Sequence, residues 1–150
     1  MLNVVLYAPR IPQNTGQIAR ACHAMGCRLH LIRPLGFRVD AAALKRAAVG
    51  YMNEIDFVVH ESGEAFRAQV PDPSRLWLVT KFGRRPYTVA DWRDGDWIVM
   101  GNETEGLPRA WLEEDPERTL VIPMRNPAVR CLNLATSAVV VMFEALRRID

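Results

Sequence analysis

The chain has 150 residues, 49% of them hydrophobic and 24% charged, which is the make-up of one globular domain able to bury its own core. No apolar run approaches the roughly 20 residues of a membrane span. Nineteen Lys and Arg against 17 Asp and Glu leave a net charge of +2, too small to mark a nucleic-acid binder by charge alone. Cys22, Cys27 and Cys131 match no metal spacing, and the opening MLNVVLYAPRIP carries no export leader. The expectation is a single cytoplasmic domain over 1–150 with reduced thiols and no metal. Only Lys45 and Lys81 are lysines, so 17 of the 19 basic residues are arginine. Arginine's planar fork suits phosphate and carboxylate.

In chain order, Leu2 to Tyr7 reads as a buried strand. Asn14-Thr15-Gly16 then caps a helix from about Thr15 to Met25, ended by Gly26. Arg28 to Arg33 is a second strand, stopped by Pro34, and an alanine-rich helix spans about Ala41 to Val49. Ile55 to His60 is a third strand and Gly63 to Ala68 a short helix. Further strands fall at Arg75 to Thr80, Trp97 to Gly101 and Leu120 to Pro123. Leu107 to Glu113 is a short helix with Pro108 in its first turn. A long helix from about Leu132 to Arg148 closes the chain. Strands and helices alternate, so the fold class is α/β with a mostly parallel sheet flanked by helices. Ligands in such sheets collect at the carboxyl ends of the strands. The last helix is apolar on every side from Ala138 to Phe143. That predicts burial on more than one face, either in a homodimer packed through it or as a central core helix of a monomer.

Three loops carry candidate chemistry. The first is Asn14-Thr15-Gly16-Gln17-Ile18-Ala19-Arg20, a helix start with a glycine, where an anion would be favoured. The second is Gly101-Asn102-Glu103-Thr104-Glu105-Gly106-Leu107-Pro108, a buried strand running into a Gly-rich acidic turn. The third runs from Ile122-Pro123-Met124 through an Arg-rich loop to Arg130-Cys131-Leu132-Asn133. A polar amide such as Asn133, at the head of an apolar helix, needs a partner or a ligand. The Phe82-Gly83-Arg84-Arg85-Pro86-Tyr87 segment combines cations with aromatic rings, a pattern suited to phosphates and stacked bases.

Singly these loops are ordinary caps and turns. In this order and spacing, with LNVVLYAPRIPQNTGQIARAC, LIRPLGF, GNETEGLP, VIPM and CLNLATSAVVVMFEA, the whole chain resembles the SPOUT class of RNA methyltransferases. Within that class it is similar to the tRNA (cytidine/uridine-34) 2′-O-methyltransferases. The resemblance implies a C-terminal deep trefoil knot, which the pattern alone would not give. It implies S-adenosylmethionine as methyl donor, a homodimer with sites built from both subunits, and the tRNA anticodon stem-loop as substrate. It places Val79, Gly101, Ile122, Met124, Cys131 and Leu132 around the cofactor. Arg20 would be the catalytic arginine, with Asn14 and Asn133 beside the reacting groups. Glu103, Arg130, Arg84 and Arg85 would face the RNA. The alternatives are a ribosomal RNA ribose methyltransferase or a non-catalytic RNA-binding module of the same fold. Three positions depart from the pattern: Cys131 for serine, Phe143 for tyrosine, and Asn102 for proline, the last expected to be minor.

Overall fold

The computed structural model describes residues 1–48 and 54–150. Seven strands form one sheet in the order β3-β2-β1-β6-β4-β7-β5, and every pairing is parallel. The strands are β1 (Asn3–Tyr7), β2 (Arg28–Ile32), β3 (Phe57–His60), β4 (Leu76–Val79), β5 (Arg85–Pro86), β6 (Trp97–Met100) and β7 (Thr119–Val121). The helices are α1 (Pro12–Met25), α2 (Ala42–Ala47), α3 (Gly63–Ala68), α4 (Arg109–Glu114) and α5 (Leu134–Ile149). The expected elements are all present, with ends that match or shift by up to three residues. Val49, the last residue expected in α2, lies outside the described residues. β5 was not anticipated.

Successive side chains of a strand point to opposite faces, and the buried sets divide accordingly. Val4, Leu6, Leu29, Leu31, Ile98, Met100 and Leu120 pack with Ile18, Cys22, Leu44, Val141 and Met142 of α1, α2 and α5. Val5, Ile32, Leu76, Leu78 and Val99 pack on the other face with Phe66 of α3 and with Trp111 and Leu112 of α4. Three layers result, with the sheet buried on both faces as a parallel sheet requires.

Gly16 belongs to this packing and not to an anion site. A Cβ there would fall 2.5 Å from the Cβ of Ala47 and 2.7 Å from the carbonyl oxygen of Leu44, so the glycine lets α1 and α2 touch. α5 also differs from expectation. Ala135, Ala138, Val141, Met142 and Ala145 are buried, whereas Val139 and Val140 are half-buried and Phe143 is 49% exposed. One face is covered and an apolar stripe is left on the other.

Polar groups within the sheet are partnered. His30 Nδ1 lies 3.0 Å from His60 Nε2, and His30 Nε2 lies 3.1 Å from Asn3 Oδ1. Phe66 and Trp97 flank these rings. At the amino ends of β4 and β6, buried Asp96 accepts from Arg75 Nε and Nη2 at 2.7 and 2.6 Å and from Trp77 Nε1 at 2.9 Å. Among the described residues no helix is long and apolar enough to cross a membrane.

Candidate active site

The chain leaves β1 toward α1 on one face and β6 toward α4 on the other. Neighbouring strands whose connections diverge leave a crevice outside their carboxyl ends. A cleft of about 650 Å³ opens there. Its walls are the ends of β4, β6 and β7, the 101–107 loop, and the starts of α1 and α5.

The 101–107 loop is tight. A Cβ at Gly101 would fall 2.2 Å from the carbonyl carbon of Gly106 and 2.4 Å from the amide nitrogen of Leu107, so only glycine fits. Asn102 is buried, and its Oδ1 accepts from Thr104 N (3.1 Å), Thr104 Oγ1 (3.2 Å) and Glu105 N (2.7 Å). Asn102 thus tethers this turn through its side chain. A proline there would lack these three bonds, while the backbone bond from Gly106 N to Asn102 O would remain.

α1 begins at Pro12, earlier than expected, so Asn14 lies inside its first turn and does not cap it. The cap residue, Ile11, has no side-chain acceptor. Glu103 supplies one from the other loop. Its Oε2 accepts from Arg10 N (2.9 Å), and its Oε1 accepts from Ile11 N (3.0 Å) and Asn14 Nδ2 (3.4 Å). A carboxylate at the positive end of a helix is also favoured electrostatically. Ala8, at the end of β1, has φ of +48°, a left-handed conformation that costs on the order of 1 kcal/mol for a residue with a side chain. The turn carries the chain directly into this contact.

Asn133 is the cap of α5, one residue before the helix and not within it. Its Oδ1 accepts from Ala135 N (2.9 Å) and Thr136 N (3.2 Å), and its Nδ2 donates to Asn14 Oδ1 (3.0 Å). Glu103, Asn14 and Asn133 thus form one relay that joins the three loops singled out in the sequence.

Of the expected site residues, Asn14, Val79, Gly101, Glu103, Ile122, Met124, Arg130, Cys131, Leu132 and Asn133 all border the cleft. Arg20 does not: it is exposed on α1, outside the lining. Arg84 is exposed, and its amide donates to Thr119 Oγ1. The Arg85 guanidinium donates to the carbonyls of Glu117 and Val89 at 3.3 and 3.2 Å, and so clips a loop. Sequence reasoning missed Ile11, Thr80 and Lys81 in the wall. Their signal was position alone, at the carboxyl ends of strands or just beyond. Among the described residues no group of three or more His, Cys, Asp or Glu side chains is placed to hold a metal ion.

Residues 1–143 match the SpoU rRNA Methylase family. A protein of Burkholderia ambifaria named tRNA (cytidine(34)-2′-O)-methyltransferase is 45% identical over 150 residues, covering 99% of this chain and 96% of its own. One of the same name from Saccharophagus degradans is 42% identical over 150 residues, with 99% and 96% covered. A solved structure concerning the 2-OH methylation of C/U34 on tRNA superposes with a TM-score of 0.93 at 43% identity, covering 99% of this chain and 95% of that one. An AdoMet-bound rRNA methyltransferase from Sinorhizobium meliloti gives a TM-score of 0.84 at 26% identity, with 99% and 57% covered. The parallel sheet, the cleft at its carboxyl edge and the match over nearly the whole chain agree: this protein belongs to the SpoU rRNA methylase family.

Proposed function

We propose that the protein transfers a methyl group from S-adenosylmethionine to the ribose 2′-hydroxyl of nucleotide 34 in tRNA. The observation that carries this reading is the Glu103–Asn14–Asn133 relay. It brings three dispersed loops to one cleft, in a chain similar over its whole length to proteins named for that reaction.

The cleft suits the cofactor. Its volume is that of a small-molecule site. Val79, Leu107 and Leu134 supply apolar wall, and the Glu103 carboxylate adds negative charge to the lining, which favours a sulfonium. Val79, Gly101, Ile122, Met124, Cys131 and Leu132 are the residues we assign to holding it. Bound there, S-adenosylmethionine supplies an electrophilic methyl group.

The chain's own task is to place a weak nucleophile and receive its proton. A neutral hydroxyl gains most from being held in line with the methyl carbon. Asn14 and Asn133 fix the floor on which it sits. The Arg20 guanidinium offers donors and no acceptor, so its role is to hold a phosphate and the developing alkoxide, with the proton leaving through the RNA phosphate. Arg130 and Arg84 stay assigned to the RNA side, whereas the Arg85 guanidinium is already engaged with carbonyls. Arg130 is the one already at the cleft.

A homodimer completes this picture. The uncovered Val139, Val140 and Phe143 stripe on α5 is the surface we assign to a second copy. α1 packs against α5, so the same interface presents α1, and Arg20 with it, to the other site. The trefoil knot in the C-terminal segment, the single-domain organisation over 1–150 and a cytoplasmic location belong to the same reading.

The test is incubation with labelled S-adenosylmethionine and unmodified total tRNA, with ribose methylation mapped by nucleoside mass spectrometry. Label at position 34 supports the reading. No incorporation with cofactor binding intact overturns the enzyme, and label at another position of the tRNA overturns the substrate. Arg20→Ala should cost at least about 100-fold in kcat while leaving the thermal midpoint in place; full turnover would remove Arg20 from catalysis.

A further inference from the structure

Phe82 is 72% exposed, more than any other large hydrophobic side chain among the described residues, and it borders the cleft. Its backbone is nonetheless fixed. Thr80 N donates to Leu120 O (2.9 Å), Phe82 N to Thr80 Oγ1 (3.2 Å) and Gly83 N to Thr80 O (3.0 Å). Arg84 N donates to Thr119 Oγ1 (3.0 Å). Gly83 is pressed so closely on β7 that a Cβ would fall 2.3 Å from the carbonyl carbon of Leu120. The ring is therefore displayed from a stiff turn, and much of the ordering a partner would require is already in place.

Its neighbours select the partner. Lys81 Nζ lies 5.1 Å from the ring centroid. Lys81, Arg84 and Arg130 have no acidic partner among the described residues. Tyr87, the other aromatic residue of this segment, is half-buried against the core, and Arg85 is engaged with carbonyls. One free aromatic face beside unpaired cations matches an unstacked nucleobase with its flanking phosphates. The cofactor's adenine is the other base available to the cleft, but that molecule carries no phosphate and is cationic at sulfur, so the cations point to RNA.

We propose that Phe82 is the nucleobase platform of the cleft: its ring stacks on one base of the anticodon while Lys81 holds a neighbouring phosphate. This rests on the tRNA reading above and adds a specificity-determining residue to it.

The experiment is fluorescence anisotropy with an anticodon stem-loop RNA, alongside calorimetry with S-adenosylmethionine, on wild type, Phe82→Ala and Phe82→Trp. Phe82→Ala should weaken RNA binding about ten-fold, Phe82→Trp should restore it, and cofactor affinity should not move. Three RNA copies, each lacking one anticodon base, supply the decisive comparison. For one of them, wild type and Phe82→Ala should bind equally, because the stacking partner is already gone. Unchanged RNA affinity in Phe82→Ala overturns the proposal. So does a loss of the same size on all three abasic copies, or a loss that appears in cofactor affinity. Failure of wild type to methylate tRNA would remove the functional reading alone; the binding comparison decides Phe82 either way.

Discussion

Two polar relays cross this molecule, each joining three side chains from three segments. Asn3–His30–His60 links β1, β2 and β3 inside the sheet, under Phe66 and Trp97. Glu103–Asn14–Asn133 links the 101–107 loop with the starts of α1 and α5 at the cleft. In the first, each bond dictates the next. Asn3 Nδ2 donates to Gly95 O at 3.3 Å, so Oδ1 is left to accept from His30 Nε2. His30 Nδ1 must then accept from His60 Nε2. Both rings are neutral and spent. In the second, the capping bonds hold three loops at fixed spacing around an open space. Buried, hydrogen-bonded polar groups do not mark a site by themselves. What separates the two is the open space one of them borders.

The strongest way to break the contrast is to deform the loop that carries Glu103. In Gly101→Ala the new methyl meets backbone on Gly106 and Leu107 at 2.2 to 2.5 Å, with no flexible side-chain end to yield. We expect a cost on the order of 3 kcal/mol, read as cofactor binding weakened about 100-fold and a lower thermal midpoint. Wild-type cofactor affinity in this variant would detach the loop from the cleft.

Acid tests the sealed relay. Burial first, then the charge of a protonated His60, pull the His30 pKa down from 6.5 to about 4, and burial lowers His60 as well. Between these values the unfolded chain takes a proton that the folded chain refuses. Stability is therefore full above 6.5 and falls as pH falls toward 4, by roughly 1.4 kcal/mol per unit for one such histidine. A loss of about 2 kcal/mol between pH 6.5 and 5 follows, measured by urea unfolding. Asp72, Asp94 and Glu144 have pKa values lowered by hydrogen bonds. Their stabilisation disappears only below the ordinary carboxylate range, so this window belongs to the histidines. A flat profile would mean that the rings are not sealed.

Glu103→Ala tests the open relay more gently. The amides of Arg10 and Ile11 lose their acceptor but can turn to water, and about 1 to 2 kcal/mol is the expected cost. Glu103→Gln keeps one acceptor oxygen and should recover part of it. The two variants are compared by thermal unfolding and by kcat. Should Glu103→Ala leave both untouched, the relay does not hold the loops.

The same division explains what the sequence makes legible. Gly63–Ala68 is found with the ends read from its pattern, and β1 differs by one residue, because local propensity and apolar runs fix them. β5 has two residues and exists only because Leu120 and Val121 lie beside it, a pairing no local pattern announces. The insertion of β6 between β1 and β4 is equally invisible. Asn14 looks like a cap because Asn-Thr-Gly is a capping pattern, yet the acceptor for that helix end comes from Glu103, 92 residues beyond Ile11. Ten of the thirteen expected site residues nonetheless meet at one cleft, since motifs at strand ends converge when the sheet is parallel. Arg20, Arg84 and Arg85 do not line it. Arg20 and Arg84 are exposed, and the Arg85 guanidinium is bonded to carbonyls of its own chain.

Thr15 gives the smallest and most local test. It sits between Asn14, whose amide is engaged at both ends, and Gly16, which α2 presses against. Thr15 is fully buried, and its hydroxyl has no partner among the described residues. A buried hydroxyl left unpaired carries a desolvation cost with nothing in return. Valine has nearly the same shape and the same branching at Cβ, so Thr15→Val should gain up to about 1 kcal/mol. For a chain of this length that is a rise of about 3 °C in thermal midpoint, with turnover unchanged. A lower midpoint would show that the hydroxyl is bonded after all. An unchanged midpoint with lost turnover would place Thr15 in the relay beside it and move the boundary between the sealed core and the open cleft one residue inward along α1.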